Sequence, residues 1–343
     1  YIIHKLFLHR FGVGNKEMEE YSPSRYKMLE KIGEGVHGYV FKAIDLHRKK
    51  EVAIKKVALK NKFGNISLNT LREIKTLQVC KCDYIVTIID IFPDLVGLAL
   101  VLDYMPDTLY GKLKNEFNPL SRQQVRTFTA MMLRGIEYLH GMGIMHRDIK
   151  PANLLISSDE VLKIADFGLA RLYFAEDDKK LYSPQVSTRW YRAPEILWGS
   201  QQYGPAVDMW AAGCVLAEML RGVPLFAGTT DIEQLALVIR TLGSPRLNEW
   251  PELNSLPDYN KIRFPNSAGI HWDNLFPSCT RAIEINLVSN LVVYNPKNRL
   301  NFCPICGSIF PSLQQSGNVV CYNCNKEFEP NGMLSVNNYV LLT

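Results

Sequence analysis

The densest chemistry in the chain lies in one octet, His146-Arg-Asp-Ile-Lys-Pro-Ala-Asn153, with Asp166-Phe-Gly168 a short way downstream. Carboxylates, an amide and a lysine in this order suit transfer of a phosphoryl group to a hydroxyl. That reaction asks a protein for positioning and charge neutralisation more than for covalent chemistry. On this reading Asp148 orients the accepting hydroxyl and takes its proton. Lys150 neutralises charge on the phosphate in flight, and Asn153 and Asp166 each hold magnesium. Ala193-Pro-Glu195 closes the segment.

A second constellation lies upstream, in Ile32-Gly-Glu-Gly-Val-His-Gly-Tyr-Val40. Three glycines, Gly33, Gly35 and Gly38, fit either a lid over phosphates or a dinucleotide-binding turn. The dinucleotide turn needs a following helix and an acidic residue about twenty positions on. Here Tyr39–Ile44 alternates like a strand, and the downstream partner is Lys55. Val52-Ala-Ile-Lys55 puts a charge on an otherwise apolar strand, where it requires anions nearby. Nucleotide phosphates supply one set. Glu73 supplies the other, from a one-sided helix predicted over 67–79 with Leu68, Leu71, Ile74 and Leu77 as its apolar stripe.

These groups need elements to hold them. Ser121-Arg-Gln-Gln124 is a capping box that opens a helix running through Phe128, Met132, Ile136 and Leu139 to Gly141. Asp208–Leu220 is apolar nearly all round, which predicts a buried helix with Asp208 at its start.

From about Tyr26 to Arg299 the chain resembles the cyclin-dependent protein kinases, most nearly the cell cycle-related kinase subgroup. The resemblance rests on Leu71-Arg-Glu-Ile-Lys75, Pro151-Ala-Asn-Leu-Leu-Ile-Ser157, Lys163-Ile-Ala-Asp-Phe-Gly-Leu-Ala-Arg171, Thr188-Arg-Trp-Tyr-Arg-Ala-Pro-Glu195, Asp231-Ile-Glu-Gln-Leu235 and the run from Trp250 to Lys261. It implies a bilobal α+β kinase domain over 18–300, with a β-rich first lobe over 26–105, a helical second lobe over 106–300 and the family's last helix missing. It also implies ATP and Mg2+ as cofactors, protein substrates, and a nuclear and cytoplasmic setting. Ile32, Gly33, Glu34, Gly35, Gly38, Val40, Ala53, Lys55 and Leu155 would surround ATP. Leu102 would be the gatekeeper, and the backbone of Asp103 and Met105 would hold adenine. Asp208 would tie down the catalytic loop, and Glu195 would pair with Arg299.

The same resemblance places an activating phosphosite for an upstream kinase at Ser183, within a polar segment 173–185, with Arg72, Arg147 and Arg171 as its phosphate clamp. Serine followed by Pro184 departs from the threonine common in relatives. Arg192 with Val186 nearby matches the arrangement that favours proline after the phosphorylated residue. A cyclin-like activator is implied, but Ser67-Leu-Asn-Thr-Leu-Arg-Glu73 keeps only part of the family's helix motif, and independence of cyclin stays open. A pseudokinase scaffold is the rival reading, against which Lys55, Asp148, Asn153 and Asp166 are all present.

After Arg299 the pattern changes abruptly. Cys303-Pro-Ile-Cys306 and Cys321-Tyr-Asn-Cys324 are separated by fourteen residues, a zinc-ribbon spacing in which four thiolates close a tetrahedral structural site. Two disulfides are the alternative. The segment 302–343 resembles the N-terminal zinc ribbon of the small subunit of RNA polymerase I, which implies Zn2+ as a cofactor and polymerase association with a nucleolar setting. The junction also fits two neighbouring genes read as one. Loss of the last helix predicts exposed apolar surface on the second lobe.

Composition sets the outer bounds. In 343 residues the hydrophobic fraction is 47% and the net charge is +5, from 39 basic and 34 acidic residues. That balance is too mild to argue for nucleic acid or membrane, and no apolar run reaches spanning length. Residues 1–17 carry no fold signal, and Lys5, His9 and Arg10 interrupt any signal-peptide core. The other four of the eight cysteines, Cys80, Cys82, Cys214 and Cys279, are scattered and read as buried thiols.

Overall fold

A computed structural model of the chain describes residues 23–35, 38–58, 66–94, 97–173, 181–183 and 187–302, and the backbone of three two-residue strands beyond them. The chain divides into two compact units, Tyr1–Asp107 with Leu155–Gly168, and Thr108–Leu154 with Leu169–Thr343.

The first unit is built on an antiparallel sheet of β1 (Tyr26–Gly35), β2 (Gly38–Asp45), β3 (Lys50–Ala58), β4 (Ile88–Asp94) and β5 (Gly97–Asp103), in the order β1-β2-β3-β5-β4. Strand side chains alternate between faces. One face therefore packs Val52 and Ile54 with Tyr26, Ala43, Phe92, Ala99 and Val101. The other packs Val57 with Leu98, Leu100 and Ile74 of helix α1 (Leu68–Val79). Lys55 shares the parity of Val57 and so faces α1.

Helix α1 starts where Ser67 caps it, its hydroxyl accepting the Thr70 N–H at 3.0 Å. Its buried face is Thr70, Glu73, Ile74 and Leu77. Leu68, expected on the apolar stripe, is 67% exposed. It sits in the first turn, ahead of the face that meets the sheet.

The second unit is helical, with α2 (Leu109–Lys114), α3 (Arg122–Gly141), α4 (Pro194–Leu197), α5 (Ala206–Arg221), α6 (Asp231–Leu242) and α7 (Ala282–Leu291). The capping box at Ser121 and Gln124 forms in both directions. Every residue of α5 from Val207 to Met219 is buried. Gly213 lets α7 come close, since a Cβ there would stand 2.7 Å from the Leu291 side chain. Arg299 forks onto Glu195 at 2.6 and 2.7 Å and donates to the carbonyls of Val293, Tyr294 and Ala206. This fully buried, bidentate pair joins α4 to α5 and to the chain after α7.

Beyond Arg299, Asn301–Phe302 pairs antiparallel with Ile309–Phe310, and Val319–Val320 with Glu327–Phe328. Cys303, Cys306, Cys321 and Cys324 lie outside the described residues, as do residues 1–22. Among the large apolar side chains of α3 and α7, Ile283 is the exposed one, at 75%. Elsewhere in the second unit Phe117, Val223, Ile232 and Leu247 are also exposed. Cys80 and Cys214 are buried, but Cys82 is half-buried and Cys279 exposed, which corrects the expectation of four buried thiols. No helix among the described residues is long and apolar enough to cross a membrane.

Candidate active site

The nucleotide-side residues predicted from the sequence all fall in the first unit. Lys55 Nζ donates to both carboxylate oxygens of Glu73, at 2.6 and 2.8 Å. Burial alone would lower the Lys55 pKa, but the charges of Glu73 and Asp166 outweigh it and the net shift is upward, so the amine stays protonated. Asp166 has a left-handed backbone, φ 65°, strain that aspartate bears better than most residues. Ala53 is buried, Val40, Leu102, Met105 and Leu155 are half-buried, and Ile32 is 42% exposed. Apolar side chains left this open suit a face that meets a ligand. Asp103 accepts Lys163 Nζ at 2.6 Å and the Thr87 N–H at 3.1 Å, which fixes the end of β5. Glu34 is exposed and pairs with Lys31.

The transfer residues fall in the second unit. Asp148 Oδ2 accepts Lys150 Nζ at 2.7 Å and Asn153 Nδ2 at 2.9 Å, while Oδ1 accepts the Thr188 N–H at 3.0 Å. Asn153 Nδ2 also donates to the Asp148 carbonyl. Both amide hydrogens are thus committed to Asp148, and Asn153 Oδ1 is left as a hard oxygen donor of the kind magnesium takes, as are the carboxylate oxygens of Asp166. Each of the two residues by itself carries the donor type that the metal takes. Lys150 also donates to Thr188 Oγ1 at 2.9 Å, so the lysine bridges the aspartate and the threonine.

This loop hangs from one buried carboxylate. Asp208, in the first turn of α5, accepts the N–H groups of His146 and Arg147 at 2.9 and 2.7 Å and faces His140 Nε2 at 2.9 Å. Burial would raise its pKa, but the hydrogen bond and charge of His140, then His146 and the Arg147 N–H, hold it below the usual range. The anchoring is what lets Arg147 keep φ at 68°.

The predicted phosphosite is linked through Tyr203 to Arg147 of the same unit. Arg147 donates to the Leu169 carbonyl at 2.8 Å and to Tyr203 Oη at 2.8 Å, and Tyr203 Oη donates to the Ser183 carbonyl at 2.6 Å. Burial and then the charge of Arg147 lower the pKa of Arg171. Arg72 lies on α1, in the first unit, bonded to Asn69. Val186 and Pro184 lie outside the described residues.

Sequence reasoning did not assign roles to Thr188, His140, His146 or Tyr203. Thr188 stood in a recognised string, seven residues before Glu195, but no spacing rule joins it to an aspartate forty positions away.

Compared with protein families, residues 26–310 match the protein kinase domain. The chain is 47% identical over 278 residues to cyclin-dependent kinase 20 of Danio rerio, covering 81% of this chain and 80% of that protein. It is 44% identical over 277 residues to cyclin-dependent kinase 20 of Homo sapiens, covering 80% of each. It is 39% identical over 277 residues to cyclin-dependent kinase D-1 of Arabidopsis thaliana, covering 81% of this chain and 68% of that protein.

Proposed function

The chain belongs to the protein kinase family as a serine/threonine kinase of the cyclin-dependent type, and from that premise we propose that it phosphorylates serine or threonine followed by proline. Asp148, fixed by three hydrogen bonds, orients the substrate hydroxyl and accepts its proton. Lys150 brings positive charge to the transferring phosphoryl group, and Lys55, held by Glu73, orients the nucleotide phosphates. Asn153 and Asp166 would hold magnesium, whose charge screens the phosphates when it is bound.

One observation carries the proline preference. Ser187 sits in the left-handed region at φ 64°, and its carbonyl accepts Arg192 Nη2 at 3.0 Å. A carbonyl held this way does not accept the backbone N–H of the residue after the phosphoacceptor. An N–H left unpaired there costs about 1–3 kcal/mol. Proline has no N–H to strand. The test is kcat/KM on paired peptides with Ser-Pro or Ser-Ala at the acceptor. A preference of roughly tenfold or more for proline is expected, and equal values would overturn the reading.

Ser183 is the activating phosphosite in this account, linked through Tyr203 to Arg147, one of the arginines the resemblance assigns to its clamp. A cyclin-like protein is the activator class that the family implies.

A second reading concerns the tail. Each two-residue strand pair flanks one C-x-x-C, Asn301–Phe302 with Ile309–Phe310 around Cys303 and Cys306, and Val319–Val320 with Glu327–Phe328 around Cys321 and Cys324. Two antiparallel strand pairs, each bracketing a cysteine pair in the sequence, support a structural zinc ribbon, and RNA polymerase I is the partner its resemblance implies. Zinc would supply on the order of 10 kcal/mol of folding free energy to so small a module. One zinc per chain in the purified protein, lost in C303S, is expected; full-length protein free of zinc after preparation without chelator would remove this reading.

A further inference from the structure

We propose that Asp231 is the positioning residue for proline selection, holding Arg192 in the orientation that keeps the Ser187 carbonyl turned away from substrate. The proposal rests on the proline-directed reading and deepens it.

Arg192 alone does not explain its own placement. It is largely buried, its side chain 13% exposed, and Arg189 lies close enough for its charge to oppose that of Arg192. Two guanidinium groups this near each other separate unless an anion sits between them. Asp231 is that anion. Its Oδ1 accepts Arg192 Nη1 at 2.9 Å and Arg189 Nε at 2.8 Å. With Nη1 held by Asp231, the planar fork of Arg192 aims Nη2 at the Ser187 carbonyl.

Asp231 is a good anchor because it belongs to a helix and not to the segment it holds. It is the first residue of α6, and Thr230 caps that helix by accepting the Glu233 N–H at 3.1 Å. Around it the segment is fastened to the same turn twice more, by Arg189 Nη1 to the Thr229 carbonyl at 2.9 Å and by Trp190 Nε1 to the Gly228 carbonyl at 3.1 Å. Those two contacts locate the segment. Among the described contacts the Asp231 carboxylate is the one that accepts from both arginines, so its loss loosens the fork by which Arg192 holds Ser187. A serine at φ 64° gains by relaxing once its carbonyl is released. The carbonyl can then accept a substrate N–H, and non-proline peptides become competent.

The experiment compares full-length wild type, D231N, D231E and R189Q on three peptides that differ only after the phosphoacceptor: proline, alanine and N-methylalanine. N-methylalanine lacks the N–H without the ring. Wild type is expected to favour proline and N-methylalanine over alanine. D231N is expected to narrow the proline-to-alanine ratio about tenfold, chiefly by improved kcat/KM on alanine. D231E should restore the ratio, and R189Q, which leaves the carboxylate wholly to Arg192, should keep it. A merely structural role for Asp231 would lower all three peptides together and leave the ratio unchanged, which would overturn the proposal. Absence of any proline preference in wild type would instead overturn the reading on which the proposal rests. A wild-type preference for proline but not for N-methylalanine would place selection in the ring and overturn the carbonyl mechanism.

Discussion

Asp148 can act as a base because of what surrounds it. Lys150, Asn153 and the Thr188 N–H occupy its oxygens in fixed directions, and Asp208 fixes the backbone on which it sits. Preorganised charge of this kind is where a phosphoryl-transfer site gets its rate. The same economy of charge governs the activation segment. Arg147 is held by the Leu169 carbonyl and Tyr203, and its charge, after burial, lowers the pKa of Arg171. A phosphate on exposed Ser183 would bring an anion to these arginines, through charge-assisted hydrogen bonds. Ser183→Ala is therefore expected to lower the kinase activity of protein isolated from cells by roughly tenfold or more, to the level of phosphatase-treated wild type. Full activity in the alanine variant would remove Ser183 as the switch.

At the scale of elements, the glycine lid separates two constraints that the sequence pattern runs together. Gly38 has φ 137°, and a Cβ there would lie 1.9 Å from the Lys56 carbonyl oxygen of β3. At Gly33 a Cβ would meet only the Val40 side chain, at 3.6 Å, an ordinary contact. Gly38→Ala is expected to destabilise the protein by about 3 kcal/mol, through strain and backbone overlap. Gly33→Ala should leave stability within about 0.5 kcal/mol and raise KM for ATP, because the added methyl stands where the backbone approaches phosphate. Chemical denaturation with ATP titration distinguishes the two, and equal destabilisation by both would contradict the account. Much of this scale was legible beforehand. A period of two along β3 and of 3.6 along α1 put Lys55 and Glu73 face to face, since each needed a counter-charge. The capping box at Ser121 and the buried character of α5 were likewise open to reading. Leu68 was not, because the first turn of a helix belongs to the stripe in sequence before it belongs to the interface in space. Neither the Thr188–Asp148 contact nor the Arg192–Asp231 pair leaves a trace in one dimension. Both arise only when α5 and α6 bring the chain back.

For the whole molecule, the kinase family match from 26 to 310 and relatives covering about four-fifths of the chain account for both described units. A net charge of +5 in 343 residues adds nothing to that function, and the specificity lies in local arrangements of arginine and carboxylate. The sequence pattern changes after Arg299, inside a family match that runs to 310. The spacing of Cys303, Cys306, Cys321 and Cys324 suggests zinc, and metal analysis of the purified protein tests it. The central claim is that this chain is a working, proline-directed kinase rather than a scaffold built on the same fold. The most direct test is transfer of labelled γ-phosphate from ATP with magnesium to the Ser-Pro and Ser-Ala peptides, by full-length wild type isolated from cells and by D148N. The account predicts transfer that favours Ser-Pro in wild type and falls by about 10²–10⁴-fold in D148N. Transfer that D148N leaves unchanged, or none by the wild-type protein bearing phosphate at Ser183, would contradict it.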